Sequence, residues 1–84
     1  MVEIKAKKTV SKYGITSIVY KNGRKRESAI EFAANGEYRC LCCFSKDGSC
    51  LSFSYADLET AKEKTEKYLS NIHQFAGGAK VTYI

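Results

Sequence analysis

Four cysteines and one histidine in this 84-residue sequence are side chains of the types that commonly hold zinc. Zinc sites usually take cysteines in pairs separated by two to four residues, with two further ligands at similar spacing. Cys40, Cys42 and Cys43 crowd into four positions instead, Cys50 follows a predicted turn, and His73 lies in a distant helical pattern. We therefore predict free thiols that pack as small apolar side chains, with no metal site and no cofactor.

Motifs for catalysis are the second kind of chemistry to consider. The sequence has one histidine and contains no phosphate-binding glycine loop, nucleophile elbow or H-E-x-x-H motif. A Cys–His pair would require the fold to bring His73 to a thiol, and we expect a packed or surface histidine instead. Because no residue fits the roles of nucleophile, base and oxyanion donor, we predict that the protein is not an enzyme.

Positive charge is concentrated near the beginning of the chain. Residues 1–26 contain eight basic residues and one acidic residue, a net charge of +7, whereas residues 27–84 have a net charge of −2. The stretch YKNGRKRE, residues 20–27, surrounds an Asn-Gly turn with four positive side chains. Clustered lysine and arginine on a two-stranded ribbon can neutralise phosphates, and such a ribbon fits a major groove. Exposed hairpins also carry lysines for solubility and to prevent pairing with other sheets.

The candidate nucleic-acid-binding residues follow from this charge distribution. Clustered basic side chains are the electrostatic footprint of such an interface. We also expect Tyr13 and Tyr20 to add stacking or backbone contacts. The hairpin supplies Lys21, Arg24, Lys25 and Arg26, and the patch extends to Lys5, Lys7, Lys12 and Arg39 if the strands lie side by side.

Alternating apolar and β-branched residues predict the strands that position these side chains. Such period-2 patterns, separated by the turn signals Asn22-Gly23, Asn35-Gly36 and Asp47-Gly48, indicate antiparallel hairpins. A two-residue loop at Asp47-Gly48 would pair Phe44 with Leu51, Cys42 with Phe53 and Cys40 with Tyr55. The predicted strands cover residues 2–10, 15–21, 28–33, 37–44, 49–54 and 79–84.

A helical stripe replaces the strand pattern after residue 54. Apolar or neutral residues recur at helical spacing from Leu58 to Ala76, and Gly77-Gly78 predicts the stop. Ser54 and Asp57 resemble a capping box at the start. We predict a single α+β domain, residues 1–84: an antiparallel five- to six-stranded meander sheet, one long helix (about 55–76) packed on one face, and a short C-terminal strand.

Residues 36–72 resemble the core of integrase arm-binding and plant ethylene-response-factor DNA-binding domains. The resemblance rests on Gly36, Tyr38, Gly48, Phe53 and the sequence LETA at the start of the helix. It implies three strands lying on a helix, with the outer sheet face entering the DNA major groove. By position, that face would present Arg39, Leu41 and Cys43, of which Arg39 suits the role. The added closing strand departs from the family pattern.

Two functions remain open from the sequence, both of them binding functions. We favour contact with nucleic acid, duplex DNA in particular, through the basic N-terminal hairpin. The alternative is a protein-interaction module, such as a small regulator or inhibitor from a mobile element, that docks on an acidic protein surface. Exposed Leu41 and Cys43 would support the protein partner, whereas a charged outer face would favour DNA. Without a signal peptide or an apolar run, we expect a cytoplasmic protein that does not bind membranes.

Overall fold

A six-stranded sheet with one α-helix packed on one face confirms the predicted α+β fold. The structure, a computed structural model, describes residues 1–32, 35–42 and 51–84. Along the chain it contains β1 (Val2–Val10), β2 (Thr16–Asn22), β3 (Lys25–Phe32), β4 (Tyr38–Cys42), β5 (Leu51–Tyr55), α1 (Leu58–Ile72), a short 3-10 helix (Gln74–Ala76) and β6 (Ala79–Tyr83).

The period-2 alternation of the strands decides which face of the sheet is buried. In β1, Ile4 and Ala6 are buried under the helix, whereas Lys5 and Lys7 point to the other face and are exposed. Tyr20 of β2 continues the buried face. The core contains the buried residues Ile4, Ala6, Tyr20, Ile30, Cys40 and Cys42 from the sheet with Ala61 and Leu69 from α1.

The sheet is mixed rather than wholly antiparallel. The strand order is β5-β4-β3-β2-β1-β6, so the first five strands form the predicted antiparallel meander. The last strand pairs with β1 in parallel, with Ile4 aligned with Val81. This parallel pairing arises because α1 crosses from the β5 edge of the sheet to the β1 edge before β6 begins. A helical crossover of this kind returns the chain in the parallel direction.

The predicted register of β4 and β5 is wrong by two residues. Cys42 pairs with Leu51 and Cys40 with Phe53, whereas we expected each cysteine to face a residue two positions later in β5. Because the shift is even, every side chain stays on its predicted face. The proposed Asp47-Gly48 turn and the pairing of Phe44 lie outside the described residues, as do Cys43 and Cys50.

The helix is shorter than predicted at both ends. It begins at Leu58, with Asp57 as its N-cap instead of Ser54, because the Asp57 carboxylate accepts a hydrogen bond from the Thr60 amide at 2.9 Å. It ends at Ile72, and the 3-10 turn that follows leaves Phe75 98% exposed. Phe75 is therefore not part of the buried stripe, which contains Ala61, Thr65 and Leu69.

Cys40 and Cys42 are buried thiols, as the sequence predicts. The Cys40 sulfur accepts a hydrogen bond from the Thr65 hydroxyl at 3.4 Å, and its thiol lies 3.6 Å from the Ala61 carbonyl oxygen. Burial raises the pKa of the Cys40 thiol. Both cysteines thus act as packing residues in the core, on the strand next to the β5 edge of the sheet.

A chain of hydroxyl groups connects β2, β6 and the helix. The Tyr83 hydroxyl donates to the Glu66 carboxylate at 3.1 Å, and the Tyr20 hydroxyl lies 2.7 Å from the Tyr83 hydroxyl. Their rings meet edge to face, with centroids 5.9 Å apart. Burial raises the pKa of Tyr83 to about 12. Burial and the Tyr83 hydrogen bond raise the pKa of Tyr20 above its usual range. Both phenols therefore stay neutral in the folded protein at physiological pH.

Candidate nucleic-acid interface

The outer face of the sheet is the face opposite α1, and it carries most of the predicted basic residues. The helix packs against β3, β4, β5 and β6 on the inner face, and in the described part of the chain no element covers the outer one. An open antiparallel face of this kind is normally polar. Here it is also strongly basic where β1, β2 and β3 lie side by side.

Three basic residues form a row across adjacent strands of this face. Lys5 of β1 pairs with Lys21 of β2, which pairs in turn with Arg26 of β3. All three side chains are exposed. Neighbouring strands are about 4.8 Å apart, so the row extends over roughly 10 Å. We call Lys5, Lys21 and Arg26 the basic row.

A β-bulge in the second hairpin creates the third member of the basic row. Tyr20 pairs with Ser28, so an unbroken ladder would place Glu27 opposite Lys21. The register shifts between Tyr20 and Lys21, and Arg26 takes that position instead. The bulge thus exchanges a Lys–Glu pair for a Lys–Arg pair on the outer face.

Glu27, the extra residue of the bulge, points to the helix side of the sheet. It is 6% exposed, and its Oε2 lies 2.6 Å from Nε2 of His73 at the end of α1. Its Oε1 accepts a hydrogen bond from the Asn22 amide group at 3.3 Å. A buried carboxylate requires such partners, and these two satisfy both of its oxygens. The outer face therefore loses an acidic residue without leaving a buried charge unpaired.

The hairpin tip adds two further cations beside the basic row. Gly23 has a φ of 63°, and the two loop residues are Gly23 and Arg24, because Asn22 pairs with Lys25. The predicted turn is thus present, one residue later than Asn22-Gly23. Arg24 and Lys25 are both exposed at this tip.

The remaining predicted residues lie at increasing distance from the basic row. Lys7 is on the same face, two residues after Lys5, and pairs with Val19. Arg39 is also on this face but pairs with Glu31, two rows away from Arg26. Lys12 is not brought to the patch, because it lies in the turn between β1 and β2 at the opposite end of the sheet.

The two tyrosines that we expected to contribute contacts differ in exposure. The expectation for Tyr20 is wrong: its side chain is fully buried under the helix, since it falls on the inner face of β2. Tyr13 is 79% exposed, with the Lys12 ammonium 5.1 Å from its ring centroid, and it accompanies Lys12 at the far end. Neither ring lies beside the basic row.

A short apolar strip lies next to the basic row on the outer face. Val19, Ala29 and Leu41 pair in sequence across β2, β3 and β4. Ala29 is buried by its neighbours, and Val19 and Leu41 are half-buried. The strip therefore offers little apolar area to a partner, and charged and hydroxyl side chains surround it.

Sequence reasoning missed the contribution of two residues to this face. Glu27 has no sequence signal for its inward direction, since strict alternation would keep it opposite Lys21. Lys80 aligns with Glu3 on the far side of β1, and only the parallel pairing of β6 places it there. Alternation in β6 together with a topology prediction could have found Lys80.

Comparison of the chain with protein-family models, with curated proteins and with solved structures finds no match. In the described ranges, no helix has the length and apolar character needed to span a bilayer. The same ranges contain no group of three or more His, Cys, Asp or Glu side chains placed to hold a metal ion.

Proposed function

We propose that the protein binds the phosphate backbone of duplex DNA through the outer face of β1–β3 and the adjoining hairpin tip. The observation that carries this proposal is the bulge that turns Glu27 inward and sets Arg26 beside Lys21. A solubilising surface gains nothing from collecting like charges, because directly opposed cations destabilise a sheet. A phosphate-binding surface gains a denser positive field from the same exchange.

We propose that the basic row makes the main contacts with the phosphates. Lys5 and Lys21 act as point charges, and the planar guanidinium of Arg26 can bind two phosphate oxygens at once. Arg24 and Lys25 extend the contact from the hairpin tip. Contacts to phosphates position a protein on the duplex without reading its sequence, so we propose binding without sequence preference.

The position of Arg39 decides whether the outer face could also contact bases in the DNA major groove. The resemblance to three-stranded DNA-binding domains implies that the outer face enters the groove, where Arg39 is the residue that suits a DNA contact, and Arg39 belongs to this face. Arg39 is exposed but has Glu31 as its cross-strand partner. We propose that Arg39 contributes a peripheral contact weaker than those of the basic row.

A protein partner with an acidic surface is the second candidate. The strip of Val19, Ala29 and Leu41 favours it, since an apolar centre with a basic rim resembles a small protein interface. The strip is narrow and its central residue is an alanine, which limits the apolar area. The charged part of the face is the larger one, and it accounts for our preference for DNA.

Fluorescence anisotropy of a labelled duplex across a salt series tests the proposal. Contact with about four to five phosphates predicts a slope of log affinity against log salt near −4, because each contact releases condensed counterions. The Lys21→Ala, Arg26→Ala double variant should reduce the magnitude of that slope by about 2. The matched control is the Lys64→Ala, Lys67→Ala double variant, which removes the same charge from exposed positions of α1.

The control separates a specific face from a general charge effect. If the two double variants weaken binding equally, net charge alone explains the affinity and the assignment to the outer face is wrong. Absence of binding at low salt would overturn the DNA proposal itself. Binding to a protein with an acidic surface would then be the function to test. The Lys21→Ala, Arg26→Ala variant would serve as the negative control in that binding measurement.

A further inference from the structure

A cavity of about 510 Å³ opens on the helix side of the sheet, away from the basic row. It lies between the start of α1 and the inner face of β1, β2 and β3. Its apolar wall includes Ile18, Ile30, Phe32, Tyr38, Leu58 and Tyr83. Pockets that bind small molecules usually have volumes of about 300–1,000 Å³ and mainly apolar walls, so this cavity has the size and lining of one.

The cavity exists because α1 covers the sheet unevenly. The buried helix residues Ala61, Thr65 and Leu69 pack over the centre of the sheet. The helix begins at Leu58, beside the cavity, and does not extend over the end of the sheet that contains Phe32, which is 47% exposed. The Phe32 and Tyr38 rings lie against each other with centroids 5.1 Å apart, which gives this end of the cavity an aromatic wall.

The charged side chains at the cavity have one sign. Lys8 and Lys62 line it together with Ile84, the last residue of the sequence, and in the described part of the chain no Asp or Glu side chain does. The Lys62 ammonium is 4.9 Å from the ring centroid of Tyr83, which holds it over the wall. Its carboxylate neighbour, Glu59, lies 3.8 Å away and is 85% exposed, so it points to solvent. An anionic group at the opening would therefore meet two cations.

We propose that this cavity binds a small amphipathic anion, a carboxylate with an aliphatic body of the fatty-acid class. The apolar body would occupy the space between Ile18, Phe32 and Leu58, where burial of apolar surface supplies the affinity. The carboxylate would remain at the opening beside Lys8 and Lys62, where charge-assisted contacts set the preference for an anion. This site is on the opposite face from the proposed DNA contact and does not depend on it.

Titration of ¹⁵N-labelled protein with dodecanoate, kept below its micelle concentration, tests the proposal by NMR. We expect saturable shifts at the amides of Ile18, Phe32 and Leu58. Dodecyltrimethylammonium has the same tail and the opposite charge, and it should bind at least about tenfold more weakly because it meets the two lysines. The Lys8→Glu, Lys62→Glu double variant should reverse this preference.

The matched control is the Lys5→Glu, Lys21→Glu double variant, which makes the same charge change on the outer face. It should retain dodecanoate binding within about twofold, since screened charges on the far face act weakly at the cavity. The single Lys8→Glu variant tests the same prediction if the double substitution at the cavity alters the amide spectrum. Unsaturable or absent shifts, equal binding of the two detergents, or equal weakening by the control pair would each overturn the proposal.

Discussion

At the scale of single residues, the Tyr20–Tyr83–Glu66 hydrogen-bond chain makes the folded protein less stable as the pH becomes alkaline. Burial raises the pKa of Tyr83 to about 12 and raises that of Tyr20 as well, whereas an unfolded tyrosine ionises near pH 10. The unfolded state therefore releases protons first as pH rises, and the contribution of the neutral phenols is lost from about pH 10 upwards. We expect the free energy of unfolding to fall steeply between about pH 10 and pH 12.

The Tyr20→Phe variant measures the share of Tyr20 in this loss. At neutral pH it should be less stable by about 1 kcal/mol, because the hydrogen bond to Tyr83 is gone. Between about pH 10 and pH 12 it should lose about 2 kcal/mol less than the wild type in urea unfolding. Tyr13→Phe, at a 79% exposed position, is the control and should follow the wild type. Parallel losses in wild type and Tyr20→Phe would contradict the assignment.

Residue directions were predictable from the sequence wherever alternation is unbroken. Period 2 correctly placed Ile4 and Ala6 inside and Lys5 and Lys7 outside. The same rule fails at Glu27, because it is an extra residue in β3, and the β3 residues that precede it therefore face the opposite side from the one that alternation predicts. Its stabilising contact with His73 joins positions 46 residues apart, and no local pattern carries information about such a pair.

At the scale of elements, the N-cap of α1 controls how firmly the helix begins. Asp57 accepts hydrogen bonds from both the amide and the hydroxyl of Thr60. We expect Asp57→Ala to lower the melting temperature by about 5 °C, and Asp57→Asn to retain most of the cap. The Thr60 hydrogen bonds lower the pKa of Asp57, so its stabilising effect is present above about pH 4 and is lost as pH falls further.

Thermal unfolding followed by circular dichroism at neutral and acidic pH checks this prediction. The difference between wild type and Asp57→Ala should shrink as the pH falls below the pKa of the carboxylate. Ser54→Ala is a useful control, because Ser54 is the cap that the sequence pattern suggested and the structure does not use. A larger effect from Ser54 than from Asp57 would show that the helix begins earlier than Leu58.

Element types were predictable while their ends and register were less so. Strong local patterns specify the strands and the helix, but Ser54 and Asp57 are both good cap residues, and packing decides between them. The β4–β5 register depends on the connection between them, and the two-residue loop that we assumed sets the pairing two positions away from the observed one. The parallel placement of β6 depends on where α1 crosses the sheet, which no single segment encodes.

At the scale of the whole molecule, the net charge of +5 is less informative than its placement. The basic row concentrates charge on the face that α1 leaves open, while the exposed side of α1 carries Glu59 and Glu63 beside Lys64 and Lys67. The protein thus has one strongly positive side and one side of mixed charge. Such an asymmetric field orients a charged partner during encounter, and it weakens as salt increases.

The basic row should also lower the stability of the free protein. Lys21 lies between Lys5 and Arg26, and like charges directly opposite each other destabilise a sheet by about 0.2–1 kcal/mol per pair. We expect Lys21→Thr to raise the melting temperature at low salt by several degrees while weakening DNA binding, because threonine suits a strand and removes both repulsions. Screening at about 0.5 M salt should remove most of the gain.

Lys80→Thr provides the matched control for that variant, because Lys80 aligns with the acidic Glu3 across the β1–β6 pair. It removes the same charge from the same sheet but loses an attraction, so its melting temperature should fall slightly or stay unchanged. Scanning calorimetry of the three proteins at low and high salt measures both effects. If Lys21→Thr and Lys80→Thr shift the melting temperature equally, net charge rather than the row is responsible. If Lys21→Thr alone is stabilising and alone weakens DNA binding, the row reduces stability at the position where it supports binding.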